Sequence, residues 1–325
     1  MSSHPILIAD IGGTNARFAL ADNTPSYFSQ TLTLKTVDFE KLTDAIDAYL
    51  SSLNITQLQG ICLAVAGPVS NEGVIFPNSH WSVKCEHLRK KYNITRTCLL
   101  NDWESISYSL SVLNQSDLQA IGGQWTSLAD QDNDYTVATL GPGSGLGISG
   151  LLRRNQSLTP LITEGGHAGF SAENEMQAEV LRYLHGKYDT RISIERILSG
   201  PGIVNIHEAL CAIHNTECPE LTAAEIAAAG TNKGDILCVQ TIDLFFEILG
   251  QVAGDIALTI GANQGVFIGG GIVQRYSDSL VTSRFRQGFE NKGRHSQLMK
   301  GIPTWLIKHR NPGLLGASVY YRSRL

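Results

Sequence analysis

DIGGTNARF, residues 10–18, follows a short apolar run close to the start of the chain. A turn of the same character, LGPGSGLG at residues 140–147, follows a second apolar run at 135–139. Each pattern predicts a strand, a tight glycine turn and a second strand, because glycine adopts positive φ and lets backbone N–H groups approach a ligand closely. Thr14 and Ser144 add one hydroxyl group to each turn. We expect the two turns to face each other and to hold a polyphosphate from both sides.

The composition indicates a globular α/β protein with large buried sheets. The chain has 325 residues, which favours two domains with a cleft between them. Hydrophobic residues make up 42% and charged residues 17% of the chain, and the charged share is below the roughly 25% of average globular proteins. The net charge of −5 argues against a nucleic-acid partner, which requires a basic surface.

Several further patterns bear on the location of the protein. The first strand begins within about five residues of the N-terminus, so we expect no secretory signal. The longest apolar helix candidate, 235–260, contains Asp243, Glu247 and Asp255, so we expect no membrane span. The six cysteines form no C-x-x-C pair. We therefore expect a cytoplasmic protein with reduced thiols.

Alternating strands and helices occur twice along the chain. In the first half, strands are predicted at 5–10, 17–22, 28–35, 60–66 and 97–100, with helices at 38–52 and from 103 to 113. In the second half, strands are predicted at 135–140, 147–154, 265–269 and 302–307, and helices at 173–186, 193–199, 203–214, 222–229, 235–260 and 312–321. We expect two duplicated lobes: a small α/β domain of residues 1–112 plus 310–325, and a large one of residues 113–309.

Two aspartates lie where predicted strands end. Asp10 stands beside the first glycine turn, where a carboxylate tolerates phosphate if Mg²⁺ lies between them; a turn-forming Asp is an equally good interpretation. Asp102 falls in the first turn of a predicted helix, where it could accept a proton from a hydroxyl group during phosphoryl transfer. From the spacing alone, a helix cap made by Asn101 and supported by Asp102 is the favoured alternative.

Three further stretches carry polar groups suited to a sugar or a nucleotide. Glu164 and His167 in EGGHAGF, and Glu195 in the following segment, could bind hydroxyl groups, although a loop histidine and a surface ion pair explain them as well. The stretch 78–81 could present an amide and an indole to a sugar ring, but a turn with a packed Trp is the favoured interpretation. The glycines 269–271 after a buried strand would let a base or ribose approach the backbone.

Together these motifs resemble the bacterial ATP-dependent glucokinases of the sugar-kinase, Hsp70 and actin superfamily. The resemblance extends from Ile6 to about Tyr321 and rests on seven stretches in the same order: DIGGTNARFAL, LLNDW, LGPGSGLG, EGGHAGF, IERILSGPGI, FIGGGIV and NPGLLG. It implies two ribonuclease-H-like lobes of duplicated βββαβα topology with the active site in the cleft between them. It further implies ATP and Mg²⁺ as cofactors, phosphorylation of D-glucose at the 6-hydroxyl group as the first step of glycolysis, and a homodimer.

The resemblance also assigns roles to individual positions. Asp102 matches the catalytic base, and Asp10 matches the residue that orders the hydration shell of Mg²⁺. The sugar-binding positions are Asn101, Asp102, Glu164, His167 and Glu195. The nucleotide-binding positions, besides Asp10, are Gly12, Gly13 and Thr14 in the first turn, Gly141, Gly143, Ser144 and Gly145 in the second, and Gly269, Gly270 and Gly271 in the adenosine motif.

The chain departs from the family pattern at a few positions. Ser144 stands where Thr is common, and Trp103 stands where Phe is frequent. The related repressor/kinase branch carries a cysteine-rich zinc signature that Cys211, His214 and Cys218 do not reproduce, so no zinc is expected. The alternatives are a kinase for mannose, fructose or an N-acetylhexosamine, a non-catalytic sugar- and ATP-binding regulator, and an Hsp70- or actin-like ATPase.

Overall fold

Two mixed β-sheets form the framework of the protein in the computed structural model, which describes residues 4–22, 27–67, 69–70, 72–75, 80–123, 128 and 133–323. The strands are β1 (Ile6–Ile11), β2 (Asn15–Ala21), β3 (Phe28–Lys35), β4 (Gly60–Val65), β5 (Gly73–Ile75), β6 (Ser82–Lys84), β7 (Thr97–Asn101), β8 (Leu118–Gly122), β9 (Tyr135–Pro142), β10 (Leu146–Arg154), β11 (Ser157–Ile162), β12 (Val266–Ile268) and β13 (Thr304–Ile307).

The α-helices cover both sheets and dominate the second half of the chain. They are α1 (Leu42–Ser52), α2 (Cys85–Tyr92), α3 (Asp102–Ser109), α4 (Glu175–Lys187), α5 (Gly200–Ile213), α6 (Ala223–Thr231), α7 (Ile236–Ile260), α8 (Gly271–Arg275), α9 (Ser277–Thr282), α10 (Phe285–Glu290), α11 (Ser296–Gly301) and α12 (Pro312–Ser323). Short 3₁₀ helices include Gly165–His167 and Ile194–Arg196.

The two sheets repeat one topology. The first has the order β3-β2-β1-β4-β7, in which β1 pairs antiparallel with β2 and parallel with β4. The second has the order β11-β10-β9-β12-β13-β8, in which β9 pairs antiparallel with β10 and parallel with β12. The order β3-β2-β1-β4-β7 in the first sheet corresponds to the order β11-β10-β9-β12-β13 in the second, and the second sheet has β8 as an additional edge strand. The duplicated α/β fold predicted from the sequence is therefore confirmed.

Helices α3 and α12 pack against each other between the two sheets. Leu314, Ala317 and Tyr321 of α12 belong to a buried cluster with Ile6 and Ile8 of β1. On the other side, Leu315 packs with residues of the second sheet in a separate buried cluster. Because α12 lies on the first sheet although it ends the chain, its packing supports our proposal that residues 310–325 complete the small domain.

Some predicted elements differ from those in the structure. The helix predicted at 193–199 is only one 3₁₀ turn, Ile194–Arg196, and the helix predicted from residue 38 begins at Leu42. The sequence interpretation missed β11, which completes the three antiparallel strands of the second lobe, and the four short helices between β12 and β13. β11 is half-exposed along most of its length and contains Pro160, so its hydrophobic pattern is weak.

Helix α7 is the one helix among the described residues that is long and apolar enough to cross a membrane. In its most apolar stretch of 18 residues, 67% of the residues are buried inside the protein. Phe245, Ile248 and Leu249 belong to the largest core cluster. Burial among other helices explains its hydrophobicity, since a helix that is apolar on most sides is expected in the core of a large domain. All six cysteines are free.

Candidate active site

The first glycine turn connects β1 to β2 and directs its carbonyl groups into the protein. Gly13 O accepts a hydrogen bond from the Thr36 hydroxyl at 2.7 Å, and Thr14 O accepts one from the Thr36 N–H at 3.0 Å. Asn15 O accepts from the Gly12 N–H at 2.9 Å. With these three carbonyl groups engaged internally, the side of the turn left for a ligand is poor in negative partial charge. Such a turn suits an anion.

Asp10 lies at the end of β1, directly before this turn. Its carboxylate makes a long ion pair of 3.4 Å with Arg17 of the neighbouring strand β2. Burial raises the pKa of Asp10, while the Arg17 guanidinium opposes that shift. The N-terminal turn of α12 approaches it so closely that a Cβ on Gly313 would lie 2.9 Å from Asp10 Cγ. Asp10 is thus held in place by β2 and α12. Its two carboxylate oxygens are available to a cation, since the contact with Arg17 is long.

The junction between β7 and α3 is a helix cap. Asn101 Oδ1 accepts hydrogen bonds from the N–H groups of Trp103 at 2.9 Å and Glu104 at 3.3 Å. Glu104 Oε2 accepts in return from the Asn101 N–H at 3.2 Å, which completes a capping box. The Asn101 amide also donates to Gly67 O at 3.3 Å. The capping interpretation of Asn101 therefore holds, and one amide N–H remains for another acceptor.

Asp102 begins α3 and points into a group of acidic residues. Its Oδ1 accepts a hydrogen bond from the Trp103 N–H at 3.0 Å. Burial, followed by the negative charges of Asp10 and, more weakly, Glu164, raises the pKa of Asp102 to about 7, although the backbone hydrogen bonds act in the opposite direction. The structure thus brings Asp10 and Glu164 each within electrostatic reach of Asp102. A carboxylate with such a pKa is matched to proton transfer near neutral pH.

The second glycine turn connects β9 to β10 and rests on the N-terminus of α5. Inside the turn, the Gly143 N–H donates to Gly145 O at 2.8 Å. Gly143 O in turn accepts from the Gly200 N–H at 2.8 Å, where Ser199 caps the helix. The Ser144 side chain remains exposed, as does Thr14 in the first turn. Both hydroxyl groups are therefore accessible to a ligand.

Glu195 connects this turn to the polar loops beside it. Its Oε2 accepts a hydrogen bond from the Leu146 N–H at 2.9 Å, just after the second turn. A Cβ on Gly145 would lie only 2.5 Å from the same oxygen. The carboxylate is half-buried, and its second oxygen remains for a hydroxyl group. The position of Glu195 depends on the 3₁₀ turn Ile194–Arg196, where the sequence predicted a longer helix.

A second 3₁₀ turn, Gly165–His167, lies next to Glu195. Glu164 directly precedes this turn, and His167 is its last residue. Glu164 Oε2 and His167 Nε2 are 4.0 Å apart, with side chains 75% and 57% exposed. Backbone pairing of Ile194 N–H with Ala168 O at 2.9 Å joins this loop to the segment that carries Glu195. The three side chains predicted to bind hydroxyl groups therefore lie on two loops connected to each other.

The glycines after β12 lie against the second turn. Gly270 adopts a φ of +96°, and a Cβ there would lie 2.5 Å from Pro142 O, so a side chain is excluded on both grounds. A Cβ on Gly141 would lie 2.2 Å from Gly269 O. Gly271 faces open space and begins the short helix α8. The backbone of residues 269–271 thus forms one wall beside the second turn.

Trp103 contacts the second sheet, and the sequence did not predict this contact. Ideal Cβ atoms on Gly147, Gly141 and Gly269 would lie 1.5, 2.5 and 3.5 Å from atoms of its indole ring. The indole of the residue after Asp102 therefore packs against strands of the second sheet, although α3 follows the first. The three glycines that make room for the indole are spread over more than a hundred residues of the sequence. Their common role is evident only from the three-dimensional structure.

The stretch 78–81 has a structural role where it is described. Trp81 is 1% exposed, and its indole N–H donates to Phe39 O at 3.0 Å. His80 Nε2 lies 2.9 Å from the same oxygen. Asn78 and Ser79 lie outside the described residues. The packed-Trp interpretation is therefore the correct one for Trp81.

Comparison with known proteins gives consistent results over the whole chain. The family model described as Glucokinase matches residues 7–324. The protein named Glucokinase from Xanthomonas euvesicatoria pv. vesicatoria is 39% identical over 321 residues, covering 98% of this chain and 95% of that protein.

Two solved structures extend the comparison to the fold. The glucokinase from an Antarctic psychrotroph superimposes with a TM-score of 0.89 at 32% identity, covering 99% of both chains. A ROK family glucokinase from Streptomyces griseus, in complex with glucose and AMPPNP, has a TM-score of 0.62 at 17% identity, covering 97% of this chain and 98% of that one. At that identity the second structure supports the fold alone.

Proposed function

The chain belongs to the glucokinase family and phosphorylates glucose with ATP, and from this premise we propose that Asp102 is the catalytic base of the reaction. The base accepts the proton of the glucose 6-hydroxyl group while that oxygen attacks the γ-phosphorus and the bond to the β-phosphate oxygen breaks. The products are glucose 6-phosphate and ADP. Most of the acceleration comes from positioning and from electrostatic stabilisation of the transferred group.

One observation carries this proposal: burial at the start of α3, together with the negative charge of nearby Asp10, raises the pKa of Asp102 to about 7. At neutral pH a substantial fraction of Asp102 is ionised and able to take a proton, and it is a stronger base than an ordinary Asp. The helix cap made by Asn101 fixes the start of α3, which sets the direction of the Asp102 side chain. Capping and catalysis are therefore compatible roles for these two neighbours.

We assign glucose binding to the loops beside Asp102. The second carboxylate oxygen of Glu195 and the exposed Glu164 accept hydrogen bonds from sugar hydroxyl groups, and His167 exchanges one more. Asn101 contributes the amide N–H that Gly67 leaves unused. Asp102 holds the 6-hydroxyl group. These groups belong to α3 and to the two connected 3₁₀ turns, and a site of this kind orients a small polar ligand with a few placed polar groups.

We assign ATP to the two turns and the glycine wall. The turn with Gly12, Gly13 and Thr14 and the turn with Gly141, Gly143, Ser144 and Gly145 hold the phosphates. They do so through the exposed Thr14 and Ser144 hydroxyl groups and through the backbone N–H groups that are not already engaged inside the turns. Residues 269–271 lie against the adenosine. Asp10 fits hydrated Mg²⁺, because its carboxylate is partly exposed and, within the part of the chain that the structure describes, only the long Arg17 contact balances its charge. Bound Mg²⁺ would neutralise the negative charge of the phosphate oxygens.

The remaining proposals concern the cellular setting. We propose that the protein acts in the cytoplasm as a homodimer, at the first step of glycolysis, with a small domain of residues 1–112 plus 310–325 and a large domain of residues 113–309. Family resemblance supports the dimer and the pathway. The free state of all six cysteines agrees with a reducing compartment.

The decisive experiment measures ADP release from Mg-ATP without sugar and then with glucose, mannose, fructose and N-acetylmannosamine in turn. We expect strong turnover with glucose, weak turnover with the other sugars and almost none without sugar. A higher kcat/KM for another hexose would replace the substrate and retain the mechanism. Sugar-independent ADP release would indicate an ATPase, and ATP binding without turnover would indicate a regulator.

The pH dependence of the reaction provides a separate prediction for Asp102. The ionised form is active, so kcat/KM for glucose at saturating Mg-ATP should fall about tenfold per pH unit below an apparent pKa of about 7. Bound triphosphate raises that pKa and Mg²⁺ lowers it, so the two charges of Mg-ATP act in opposite directions. A rate that stays flat from about pH 6 to 8 would contradict a base with this pKa. The residual activity of Asp102→Asn is the control and should lack the inflection.

A further inference from the structure

A cluster of one histidine and two cysteines lies on α5 and the loop that follows it, away from the residues assigned to glucose and ATP. The ligand atoms of His207, Cys211 and Cys218 all lie within 4.8 Å of one another. His207 and Cys211 are buried and are one helical turn apart on the same face of α5, while Cys218 is exposed. Among the described residues, this is the one group of three such side chains close enough to share a metal ion.

The end of α5 explains how Cys218 reaches the helix. Asn215 adopts a φ of +53°, the left-handed conformation that ends many helices. The Thr216 N–H donates to Cys211 O at 2.9 Å, and the Asn215 N–H donates to Ala212 O at 3.2 Å. This pair of hydrogen bonds is a Schellman motif. It reverses the chain, so that Cys218 returns beside Cys211.

A hydrogen bond that His207 donates to α7 determines which of its ring nitrogens faces the cysteines. The Thr241 hydroxyl donates to Leu237 O at 2.7 Å, so its oxygen is left to accept from His207 Nδ1, 3.3 Å away. The proton of neutral His207 is then on Nδ1, and the lone pair of Nε2 points toward Cys211 Sγ at 3.8 Å. A hydrogen bond from the other ring nitrogen is the usual support of a metal-binding histidine.

We propose that His207 Nε2, Cys211 Sγ and Cys218 Sγ form a binding site for Zn²⁺. Tetrahedral zinc with nitrogen and sulfur ligands places those ligand atoms about 3.5 to 3.8 Å apart, and the His207–Cys211 separation of 3.8 Å already matches. On binding, each cysteine loses its thiol proton to solvent and donates its thiolate to the metal. Since Cys218 is exposed, water can occupy the fourth position.

The surroundings favour a cation. The carboxylates of Glu208 and Asp235 both act on His207 electrostatically, and Lys187, the nearby positive group, already forms an ion pair with Glu208. The spacing of Cys211, His214 and Cys218 led to the expectation of no zinc; the helix instead presents His207 to Cys211. The same helix begins at Gly200, whose N–H holds Gly143 of the second turn, so a metal at its far end would stiffen the support of that turn.

The test uses the full chain, treated with a chelator and a reductant, and then titrated with Zn²⁺ and, separately, with Co²⁺. We expect one equivalent of Zn²⁺ per chain by elemental analysis after dialysis, thiolate-to-Co²⁺ charge-transfer absorption, and a higher Tm in the presence of Zn²⁺. Cys218→Ser should weaken binding by more than about 100-fold, because even outer-shell losses cost about 10- to 100-fold. Because Cys218 is exposed, we expect this variant to fold normally, and Cys85→Ala in the other lobe is the control for a cysteine outside the cluster.

A second variant addresses the orientation of the histidine. Thr241→Val removes the acceptor of Nδ1 while keeping the shape of the side chain, and should weaken Zn²⁺ binding about 10- to 100-fold. Three results would overturn the proposal: no stoichiometric Zn²⁺ in the reduced protein, affinity unchanged by Cys218→Ser, or a Cys211–Cys218 disulfide that forms in air in a protein that binds no metal when reduced.

Discussion

Replacing Asp102 with Asn is expected to lower kcat by about 10²- to 10⁴-fold while changing KM for glucose much less. Asn keeps an oxygen for the Trp103 N–H, so the start of α3 should remain in place. It has no carboxylate to accept the 6-hydroxyl proton, so the loss falls on the chemical step. Steady-state ADP release at saturating glucose and Mg-ATP measures it, and a kcat within about threefold of the wild type would contradict the assignment of the base.

Stability measurements distinguish this loss from unfolding. Burial and the neighbouring charges raise the pKa of Asp102 above its unfolded value, so the folded protein binds the extra proton between about pH 4 and 7. The contribution of Asp102 to stability is therefore lost as the pH rises through about 7. Asp102→Asn removes the ionisable group, so the Tm of the variant relative to the wild type should increase from pH 5 to pH 8. A variant that is inactive and also less stable at pH 8 would point to misfolding.

Gly316→Ala is expected to have the largest effect on stability, about 3 kcal/mol or more. A Cβ at this position of α12 would lie 1.6 Å from Ser105 O, a backbone atom of α3 that cannot rotate away. The two helices would have to separate, which also breaks the 2.6 Å hydrogen bond from the Ser105 hydroxyl to Gly313 O. The Tm should fall by at least about 5 °C, and kcat should fall as well, because α3 carries Asp102 and α12 contacts Asp10.

The matched control is Gly186→Ala, in the exposed last turn of α4. A Cβ there meets nothing within 4 Å, so the same substitution should leave stability unchanged or raise it by up to about 1 kcal/mol. Thermal unfolding of both variants, followed by circular dichroism, makes the comparison. If the two variants behaved alike, the close approach of α3 and α12 would not exist in solution.

The sequence predicted those parts of the fold that depend on local patterns. The glycine turns, the start of α3 at Asp102 and the start of α12 at Pro312 follow from residues that favour a turn or a helix end, and the structure has them in place. The turn at Ile194–Arg196 was predicted as a longer helix because its shape depends on distant partners. Glu195 accepts from Leu146 N–H, and Ile194 N–H donates to Ala168 O. Tertiary hydrogen bonds of this kind leave no periodic signal.

The site shows the same division. The residues proposed for phosphate and sugar were identified by their motifs, and the cap that Asn101 makes on α3 was the interpretation that the spacing favoured. The hydrogen bond from its amide to Gly67 O, which leaves only part of the amide for a ligand, was not predictable from the spacing. The raised pKa of Asp102 comes first from burial and then from the charges of Asp10 and Glu164, and the linear sequence places none of these. His207 was overlooked for a similar reason, since the left-handed turn at Asn215 brings Cys218 back to its helix.

The packing of Trp103 against Gly141, Gly147 and Gly269 has a consequence for recombination between relatives. A hybrid enzyme that takes its first half from one parent and its second half from another inherits the aromatic ring and its three receiving positions from different sources. A ring smaller than indole would leave a void there, and any side chain at residue 147 would collide with the indole. Functional hybrids should therefore keep residue 103 with residues 141, 147 and 269, wherever the crossover lies.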